Sequence, residues 1–400
     1  MNVEAVPVHV PETLVRDFNY LDSSSNVDVY RFFGGLHAGP DIFFTPHNHG
    51  HWVVTRYADM EYLLEHTAEF NSETHTVPKE GKPFPVPLVE YDGIPHTEFR
   101  KLLAPFFMPK AVHALQHRMQ EFTIALIDGF YASGECDFTR DFALKMPIGI
   151  MMHVLGLPIA DTPYLLELAD NLVRGDTPQI RGAAFSAVYA YVEEKVIPLR
   201  RASPGDDLFS TLLKGTVDGG RLLTDQEIKG LGVLLVAAGL DTVANMLCFF
   251  ARFLADSVSH REQLLRAPEL MHKAIDELMR RFHVANIARM VVKDIVYKGV
   301  AFKRGDAILI PTTLAGIDEQ RFENAWHVDF SRADRKLLVF GKGPHQCLGL
   351  YLARIELQTF LAEWLKRIPH FRVKRGASVI SITGRVNSIP SLPLEWEVSA

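Results

Sequence analysis

One short loop carries the strongest chemical signal in the sequence. The stretch FGKGPHQCLG (340–349) holds three glycines, a proline, His345 and Cys347, and a helical pattern follows it. Glycines permit a tight loop whose backbone N–H groups face a sulfur atom. Such donors, together with the positive end of the helix that follows, stabilise a thiolate. His345 adds a hydrogen-bond donor or a cation two residues before the cysteine. The loop is therefore suited to hold one anionic sulfur.

Several kinds of chemistry use a cysteine, and the sequence excludes some of them. A zinc site needs further Cys or His ligands at short spacing, which this loop lacks. An iron–sulfur cluster needs about four cysteines, whereas the chain has Cys136, Cys248 and Cys347 alone. GKGPHQ departs from the dinucleotide fingerprint because Gln346 replaces its third glycine. A core cysteine, a Cys–His nucleophilic pair and a single thiolate ligand of haem iron remain possible.

A second unusual stretch, AGLDT (238–242), interrupts an apolar helical pattern. Residues 224–257 predict one long, buried helix that begins with a capping box formed by Thr224 and Glu227. A glycine inside a helix costs about 1 kcal/mol relative to alanine, and a buried unpaired aspartate costs several. One interpretation has Thr242 bonding back to a carbonyl one turn earlier, with Asp241 in a salt bridge. The other has the helix opening beside a bound molecule, where Gly239 leaves room, Thr242 donates a hydrogen bond and Asp241 relays protons.

Composition limits the class of protein. The chain has 400 residues, of which 48% are hydrophobic and 22% charged, with a formal net charge of −6. That charge gives no reason to expect nucleic acid, and the few scattered cysteines fit a reducing compartment. The N-terminus lacks the pattern of a signal peptide, and the most apolar segment, 231–240, is too short to span a bilayer. We expect a cytoplasmic protein that is not membrane-bound.

The periodicity predicts a mainly α fold with a minor β portion, in a single domain over 1–400. Helices are expected over about 97–285 and 348–368. The β-richer parts are expected over about 40–60, 289–311 and 370–398. Residues 72–95 are rich in proline and should form a long ordered loop, which in a compact domain is usually functional.

Three motifs together resemble those of the cytochromes P450. The loop matches the pattern FxxGx[RH]xCxG of their haem-binding loop through Phe340, Gly343, His345, Cys347 and Gly349. AGLDT is similar to the family's oxygen-activating helix motif, and Glu277-x-x-Arg280 is similar to its ExxR motif. The resemblance covers essentially the whole chain and looks closest to the bacterial camphor-hydroxylase branch. It implies the P450 fold, with haem b between a long central helix and the Cys-bearing loop.

The resemblance also implies roles for individual residues. Cys347 would be the axial ligand of the iron, and Asp241 and Thr242 would deliver protons to bound dioxygen. The haem propionates would be held by His96, Arg100, Arg289 and His345. Phe340, Gly343, Gly349 and Gly239 would frame the cofactor. Glu277 and Arg280 would be structural, and His327 occupies the position that matches the third member of their network.

For the substrate pocket, the resemblance implies Phe84, Leu234, Ala237, Ala238, Ala285, Arg385 and Val386. Phe84 stands where the camphor enzyme has a tyrosine that hydrogen-bonds the substrate, so His75 or Arg385 would have to replace that anchor. The alanines indicate a pocket for a larger or flatter molecule. The expected reaction is monooxygenation of a small apolar compound, a terpenoid or norisoprenoid. A fatty-acid or other small-lipid hydroxylase of the same family is the alternative. The Asp241–Thr242 pair argues against a peroxide-driven relative, and no signalling or DNA-binding module supports a non-catalytic haem sensor.

Electrons would come from a separate protein, because no flavin or iron–sulfur domain is evident. The resemblance implies a [2Fe–2S] ferredoxin fed by a flavoprotein reductase, with NAD(P)H involved only through these partners. The ferredoxin would dock near the Cys loop, where Arg100, Lys342 and Arg354 would meet its acidic surface. We expect a monomer.

Overall fold

The computed structural model describes residues 4–22, 28–79, 85–174, 177–239, 241–334 and 336–398. Helices form most of the regular structure in these ranges. The α-helices are α1 Val29–Gly34, α2 Tyr57–Glu65, α3 Gly93–Phe107, α4 Pro109–Tyr131, α5 Lys145–Leu155, α6 Thr162–Arg174, α7 Pro178–Tyr191, α8 Ile197–Ala202, α9 Leu208–Lys214, α10 Asp225–Ala238, α11 Asp241–Asp256, α12 Val258–Arg266, α13 Met271–Arg281, α14 Thr312–Ala315 and α15 Leu350–Arg367.

The strands are short and form small sheets beside the helical body. They are β1 Ile42–Thr45, β2 His51–Val54, β3 Phe70–Asn71, β4 Glu135–Asp137, β5 Thr216–Val217, β6 Arg221–Leu222, β7 Asn286–Val291, β8 Ile295–Tyr297, β9 Val300–Phe302, β10 Ala307–Pro311, β11 Phe371–Val373 and β12 Pro393–Trp396. One sheet has the order β1-β2-β10-β7-β3, and a second has the order β11-β12-β4. All pairs are antiparallel except β10 with β2. The hairpins β5–β6 and β8–β9 stand apart.

The predicted fold class is confirmed, and most predicted regions contain the expected element types. A turn at Lys298-Gly299 joins β8 to β9, and both residues have positive φ, 49° and 80°. The β-richer part expected over about 40–60 ends earlier, because α2 begins at Tyr57. The 135–137 and 216–222 strands within the predicted helical core were not expected from the sequence.

The single long helix predicted over 224–257 is two helices in the structure. The capping box at its start is confirmed, since Thr224 and Glu227 bond to each other's backbone N–H groups. However, α10 ends at Ala238 and α11 begins at Asp241. Among the described residues, Asp225–Asp256 is the one stretch apolar enough by length and composition to cross a membrane, yet 71% of its apolar 18-residue window is buried in the protein. The core helix of a soluble protein has the same property, so this stretch is weak evidence of a membrane span.

Two hydrophobic clusters form the core. The larger one surrounds α11 and α15 and includes Phe250, Phe360 and Trp364, all fully buried. The smaller one covers the mixed sheet and includes Trp52 and Phe70. The helical body and the mixed sheet are thus packed around separate apolar clusters.

Candidate functional site

A largely apolar cavity of about 320 Å³ lies inside the helical body. Its wall includes the end of α10, the start of α11, the Cys loop, the start of α15 and part of β7. Cys347 and Thr242 both line it, although they are 105 positions apart in the sequence. The structure therefore brings together the two motifs that the sequence analysis singled out.

The Cys loop is shaped by backbone contacts. The N–H of Cys347 donates to the carbonyl of Phe340 across 2.8 Å, which closes the loop. Gly343 has φ of 70°, and a Cβ there would lie 2.6 Å from the backbone oxygen of Leu64 in α2. Both the backbone angle and the close approach therefore require glycine at this position.

Cys347 is exposed by accessible surface and lines the cavity, although the protein atoms around its sulfur still desolvate the thiol. Burial raises the pKa of its thiol, while the N–H of Gly349 and the charge of Arg100 act in the opposite direction. Both opposing groups favour the anion, as does the N-terminus of α15. The arrangement fits a thiolate ligand that becomes fully ionised when a cation binds it.

The four residues expected to hold propionates all line the cavity: His96, Arg100, Arg289 and His345. The rings of His96 and His345 lie 4.1 Å apart, and His345 Nε2 is 2.8 Å from Asp92 Oδ1. Burial lowers the pKa of Arg289 to about 10, with Asp92 opposing the shift. Burial, together with the charges of His345 and Arg100, lowers the pKa of His96 to about 4.

Two polar atoms in this group indicate a missing anionic partner. Arg289 Nε and His96 Nε2 are buried and have no hydrogen-bond partner among the described residues. Such donors are normally satisfied, and an arginine buried without an anion is costly. The two carboxylates of haem b would satisfy them. The residues present therefore fit haem b: Cys347 would hold its iron, and this cationic group would hold its propionates.

At the α10–α11 junction, Gly239 lines the cavity but is needed for a packing reason as well. A Cβ there would lie 2.2 Å from Cε of Met151 in α5. Thr242 Oγ1 lies 3.4 Å from the carbonyl of Ala238, a long contact that fits the back-bonding interpretation. Asp241 is buried and its Oδ1 accepts a hydrogen bond of 2.8 Å from Asn245. Of this acid–alcohol pair, Thr242 lines the cavity, whereas Asp241 is not among the lining residues described.

The prediction that His327 completes the Glu277–Arg280 network is wrong. Glu277 and Arg280 are fully buried and form two hydrogen bonds of 2.8 Å. The third side chain is Arg332, whose Nε lies 3.1 Å and 3.2 Å from the two carboxylate oxygens of Glu277. His327 contributes its backbone oxygen, which accepts from Arg280. The chain folds back between 327 and 332, so Arg332 reaches the carboxylate from a position that linear alignment did not indicate.

Of the described residues that were expected to form the substrate pocket, some line the cavity and others do not. Leu234, Ala238 and Ala285 line the cavity. Ala237, Arg385 and Val386 are not among the described lining residues, although Val386 forms a β-bridge with Ala285 directly behind the wall. Phe84 lies outside the residues that the structure describes.

Of the two suggested replacements for the tyrosine anchor, the structure brings His75 to the cavity. His75 lines it, and its Nδ1 lies 3.0 Å from Glu90 Oε1. The other oxygen of Glu90 accepts from the N–H of Val86 across 2.7 Å. Glu90 thus contacts both limbs of the proline-rich loop.

The cations expected on a docking surface are already engaged within the chain. Arg100 lines the cavity instead of presenting its charge to a partner. Lys342 is paired with Glu61 and Glu65, and Arg354 is paired with Asp276. Both ion pairs remain partly accessible, with Lys342 at 39% and Arg354 at 36% side-chain exposure.

Sequence reasoning missed one ionisable residue that lines the cavity, Glu356 in α15. It is 2% exposed, and burial raises the pKa of its carboxyl well above the usual value. It follows Leu352 and Ala353 at helical spacing, and both of them also line the cavity. An acid within an apolar helix face was the sequence signal that could have identified it.

The fold and the site together define the class of haem-thiolate proteins, and comparison with known proteins gives the family. The family model "Cytochrome P450" matches residues 144–394. The chain is similar to "Probable cytochrome P450 127A1" of Sinorhizobium fredii, with 36% identity over 98% of this chain and 97% of that protein. The crystal structures of CYP101J2 and CYP101C1 each superpose with a TM-score of 0.90, covering 98% of this chain and 100% of theirs, at 34% and 32% identity.

The chain belongs to the cytochrome P450 family. It is accordingly a monooxygenase that uses haem b and O₂ and takes its electrons from redox partners.

Proposed function

We propose that Cys347 is the axial thiolate ligand of the haem iron, and that His96, Arg100, Arg289 and His345 bind the propionates. The observation that carries this assignment is the pair of buried, unpartnered donors, Arg289 Nε and His96 Nε2, in the cavity that Cys347 faces. Haem bound there supplies the activation of O₂ and the insertion of one oxygen atom into a C–H bond. The chain's own groups bind the cofactor, exclude water and supply protons.

Thr242 and Asp241 are proposed to serve proton delivery. The Thr242 hydroxyl lies at the cavity wall, where it can donate a hydrogen bond to a bound oxygen or water. Asp241 lies one residue before it, buried and held by Asn245, so its proton transfers would pass through Thr242 or water and not directly into the cavity. The long Thr242–Ala238 contact leaves the hydroxyl able to turn toward a stronger acceptor.

The substrate is proposed to be a small apolar molecule of the terpenoid or norisoprenoid type. The wall away from the cationic group is formed by aliphatic side chains such as Leu88, Leu234, Val243 and Ile287. Such a surface favours binding by burial of apolar area. His75 is the polar side chain best placed among the described residues to contact an oxygen atom of such a substrate.

The redox partner is proposed to be a [2Fe–2S] ferredoxin with a separate reductase. An acidic partner surface would compete with Glu61, Glu65 and Asp276 for Lys342 and Arg354, because these cations are already paired. Replacing an intramolecular carboxylate by one from the partner should cost little free energy, because ion pairs that solvent can reach are weak. We further propose a monomeric protein of the cytoplasm.

The haem assignment is tested by the difference spectrum of the reduced, CO-bound protein. The wild type should show the Soret band of a thiolate-ligated haem, and C347A should lose it. The matched control is C248A, because Cys248 is a buried core cysteine and its loss should leave the band in place. A thiolate band that persists in folded, haem-containing C347A would refute the ligand assignment.

The substrate assignment is tested by titrating the ferric protein with terpenoids, ionones and fatty acids, and by recording the low-to-high-spin shift. Terpenoids or ionones should produce the shift. H75F should weaken the binding of an oxygenated terpenoid more than that of the matching hydrocarbon, by roughly five- to tenfold for one lost hydrogen bond. A shift produced by fatty acids alone would favour the small-lipid alternative.

A further inference from the structure

A short turn near the C-terminus, residues 382–388, packs against one wall of the cavity. An isolated β-bridge between its two ends closes the turn. Within it, Val386 forms a bridge with Ala285, and the N–H of Asn387 donates to the carbonyl of Val284 across 2.7 Å. Val284 and Ala285 both line the cavity. Backbone contacts therefore join this turn directly to two residues of the wall.

Asn286, the first residue of β7, reaches the turn from the wall. It stands between Ala285 and Ile287, which both line the cavity. Because side chains alternate along a strand, the side chain of Asn286 points away from the cavity. It is 3% exposed, and its Nδ2 donates to the carbonyl of Gly384 across 2.6 Å and to Oδ1 of Asn387 across 3.0 Å. The two asparagines thus form a buried amide pair behind the wall.

The second amide of the pair connects the turn to another element. Asn387 is fully buried, and its Nδ2 donates to Oγ1 of Thr313 in α14 across 2.7 Å. The Thr313 hydroxyl in turn donates to the carbonyl of His283, just before β7, across 3.3 Å. The position of the turn is therefore fixed by side-chain bonds to β7 on one side and to α14 on the other.

Stability alone does not explain two amides at this place. Burial of an amide costs free energy unless its polar atoms are hydrogen-bonded. Oδ1 of Asn286 is buried and has no hydrogen-bond partner among the described residues. An apolar pair of similar volume would avoid that cost. A hydrogen bond between two amides is directional, however, and it specifies one arrangement of the turn where apolar contacts tolerate several.

We propose that Asn286 and Asn387 are positioning residues that determine which ligands the cavity accepts. Their hydrogen bond holds the 382–388 turn against β7 and so fixes the wall at Val284 and Ala285. Neither amide touches the substrate; the pair acts through the wall, against which a rigid apolar ring packs. This inference rests on the proposed assignment of the cavity to haem and substrate, but not on the identity of the substrate.

The proposal is tested with two nitrogen ligands of the ferric haem, imidazole and 4-phenylimidazole, whose binding is followed by the shift of the Soret band. Imidazole reports on the iron and on access to it, whereas the phenyl ring must also fit the wall. In N387A the dissociation constant of 4-phenylimidazole should rise about three- to tenfold, the range for one lost hydrogen bond, and that of imidazole by less than about twofold. An unchanged ratio of the two constants would overturn the proposal.

T139V is the matched control, because it removes a buried side-chain bond to the same segment of chain. Thr139 is 5% exposed, and its hydroxyl donates to the carbonyl of Ile389, two residues beyond Asn387, across 3.0 Å. Thr139 is not among the described residues that line the cavity. T139V should lower stability but leave the ratio of the two dissociation constants unchanged. A change in this ratio as large as that in N387A would overturn the proposal, since general loosening would then explain both.

The action of the two amides as a pair is tested by combining the substitutions. N286A and N387A remove the same bond, so the double variant should change the ratio about as much as either single variant. Additive changes would overturn the pairing. Amide hydrogen exchange gives a readout that does not depend on the haem: residues 284–287 and 382–388 should exchange faster in N387A than in T139V. Equal exchange in these two variants would also overturn the proposal.

Two further measurements keep the result interpretable. If N387A does not fold, N286L and N387L fill a similar volume without a hydrogen-bonding group, and an unchanged ratio in both would overturn the proposal. The thiolate band of the CO complex is recorded for every variant. A wild type that lacks this band would refute the haem assignment, whereas an unchanged ratio with the band intact would refute the positioning pair alone.

Discussion

The Cys loop and the α10–α11 junction both line the cavity and both contain a required glycine, but the glycines are required for different reasons. In the loop, a Cβ on Gly343 would meet the backbone oxygen of Leu64 at 2.6 Å, and φ is 70°. At the junction, a Cβ on Gly239 would meet the end of the Met151 side chain at 2.2 Å, and φ is an ordinary −77°. A backbone carbonyl held in a helix cannot move away, whereas a methionine side chain can adopt another rotamer.

The hydrogen bonds of the Cys loop and of the α10–α11 junction differ in the same way. The loop is closed by the Cys347–Phe340 backbone bond of 2.8 Å and is anchored to α2 through Lys342. At the junction the Thr242 hydroxyl makes a long contact of 3.4 Å. The comparison indicates that the ligand side of the site is rigid because backbone atoms define it. The junction is more adaptable because side chains define it, which suits its proposed place beside oxygen and substrate.

The largest effect is expected for G343A in the Cys loop. The positive φ costs about 1–2 kcal/mol for a residue with a Cβ, and the overlap with Leu64 adds about 1–3 kcal/mol. The protein should lose about 2–5 kcal/mol of stability, together with much of its thiolate-type CO spectrum. Chemical denaturation of the haem-bound protein measures the first effect, and the difference spectrum measures the second.

G349A provides the matched comparison within the same loop. Position 349 has φ of −82°, and the nearest atom to its Cβ is Cys347 Sγ at 3.9 Å. The folded protein should tolerate this change with a loss below about 1 kcal/mol. Equal destabilisation by G343A and G349A would contradict the view that backbone geometry at Gly343 makes the loop rigid.

An intermediate effect is expected for R332A, in the segment that leads into the Cys loop. Arg332 shares the carboxylate of Glu277 with Arg280, and hydrogen bonds to charged groups contribute about 1.5–3 kcal/mol. R332A should therefore lower the free energy of unfolding by about that amount. H327A should change it by less than about 0.5 kcal/mol, because only the backbone of His327 takes part. A larger loss in H327A than in R332A would restore His327 as the third side chain.

A smaller effect than those of G343A and R332A is expected for G239A at the junction. Met151 should turn aside, so the loss of stability should be about 1 kcal/mol, and the spin-state response to substrate should change more than the stability does. M151A combined with G239A should remove the overlap and recover part of the substrate response. If G239A is as destabilising as G343A and M151A does not relieve it, the junction is as rigid as the loop.

The sequence motifs were informative where function depends on local backbone geometry. The glycines of FGKGPHQCLG predicted a tight loop around Cys347, and the capping box at Thr224 marked the start of α10. ExxR pairing followed from helical spacing, since Glu277 and Arg280 lie one turn apart. Each of these features involves residues within a few positions of one another, so the sequence already contains the geometry.

Features that depend on long-range packing could not be predicted in the same way. The break between α10 and α11 was only one of two interpretations of the sequence. The side chain that packs against the break is Met151 in α5, and its position could not be deduced from the residues around Gly239. The pairing of Lys342 and Arg354 with acids of α2 and α13 could not be predicted either, because these acids lie far from both cations in the sequence. The likeness to relatives placed His327 in the network, whereas a turn of the chain brings Arg332 there instead.

The sequence by itself determined the family, the tight loop around Cys347 and the helical character of the core. Spacing along one element or one loop is enough to specify these features. The tertiary structure alone decided which charged groups face the cavity and which are neutralised elsewhere. Arg100, Arg289 and Glu356 line the cavity, whereas Lys342 and Arg354 are paired outside it. Ionisation and hydrogen bonding depend on distances across the fold, and those distances exist only once the helices have packed.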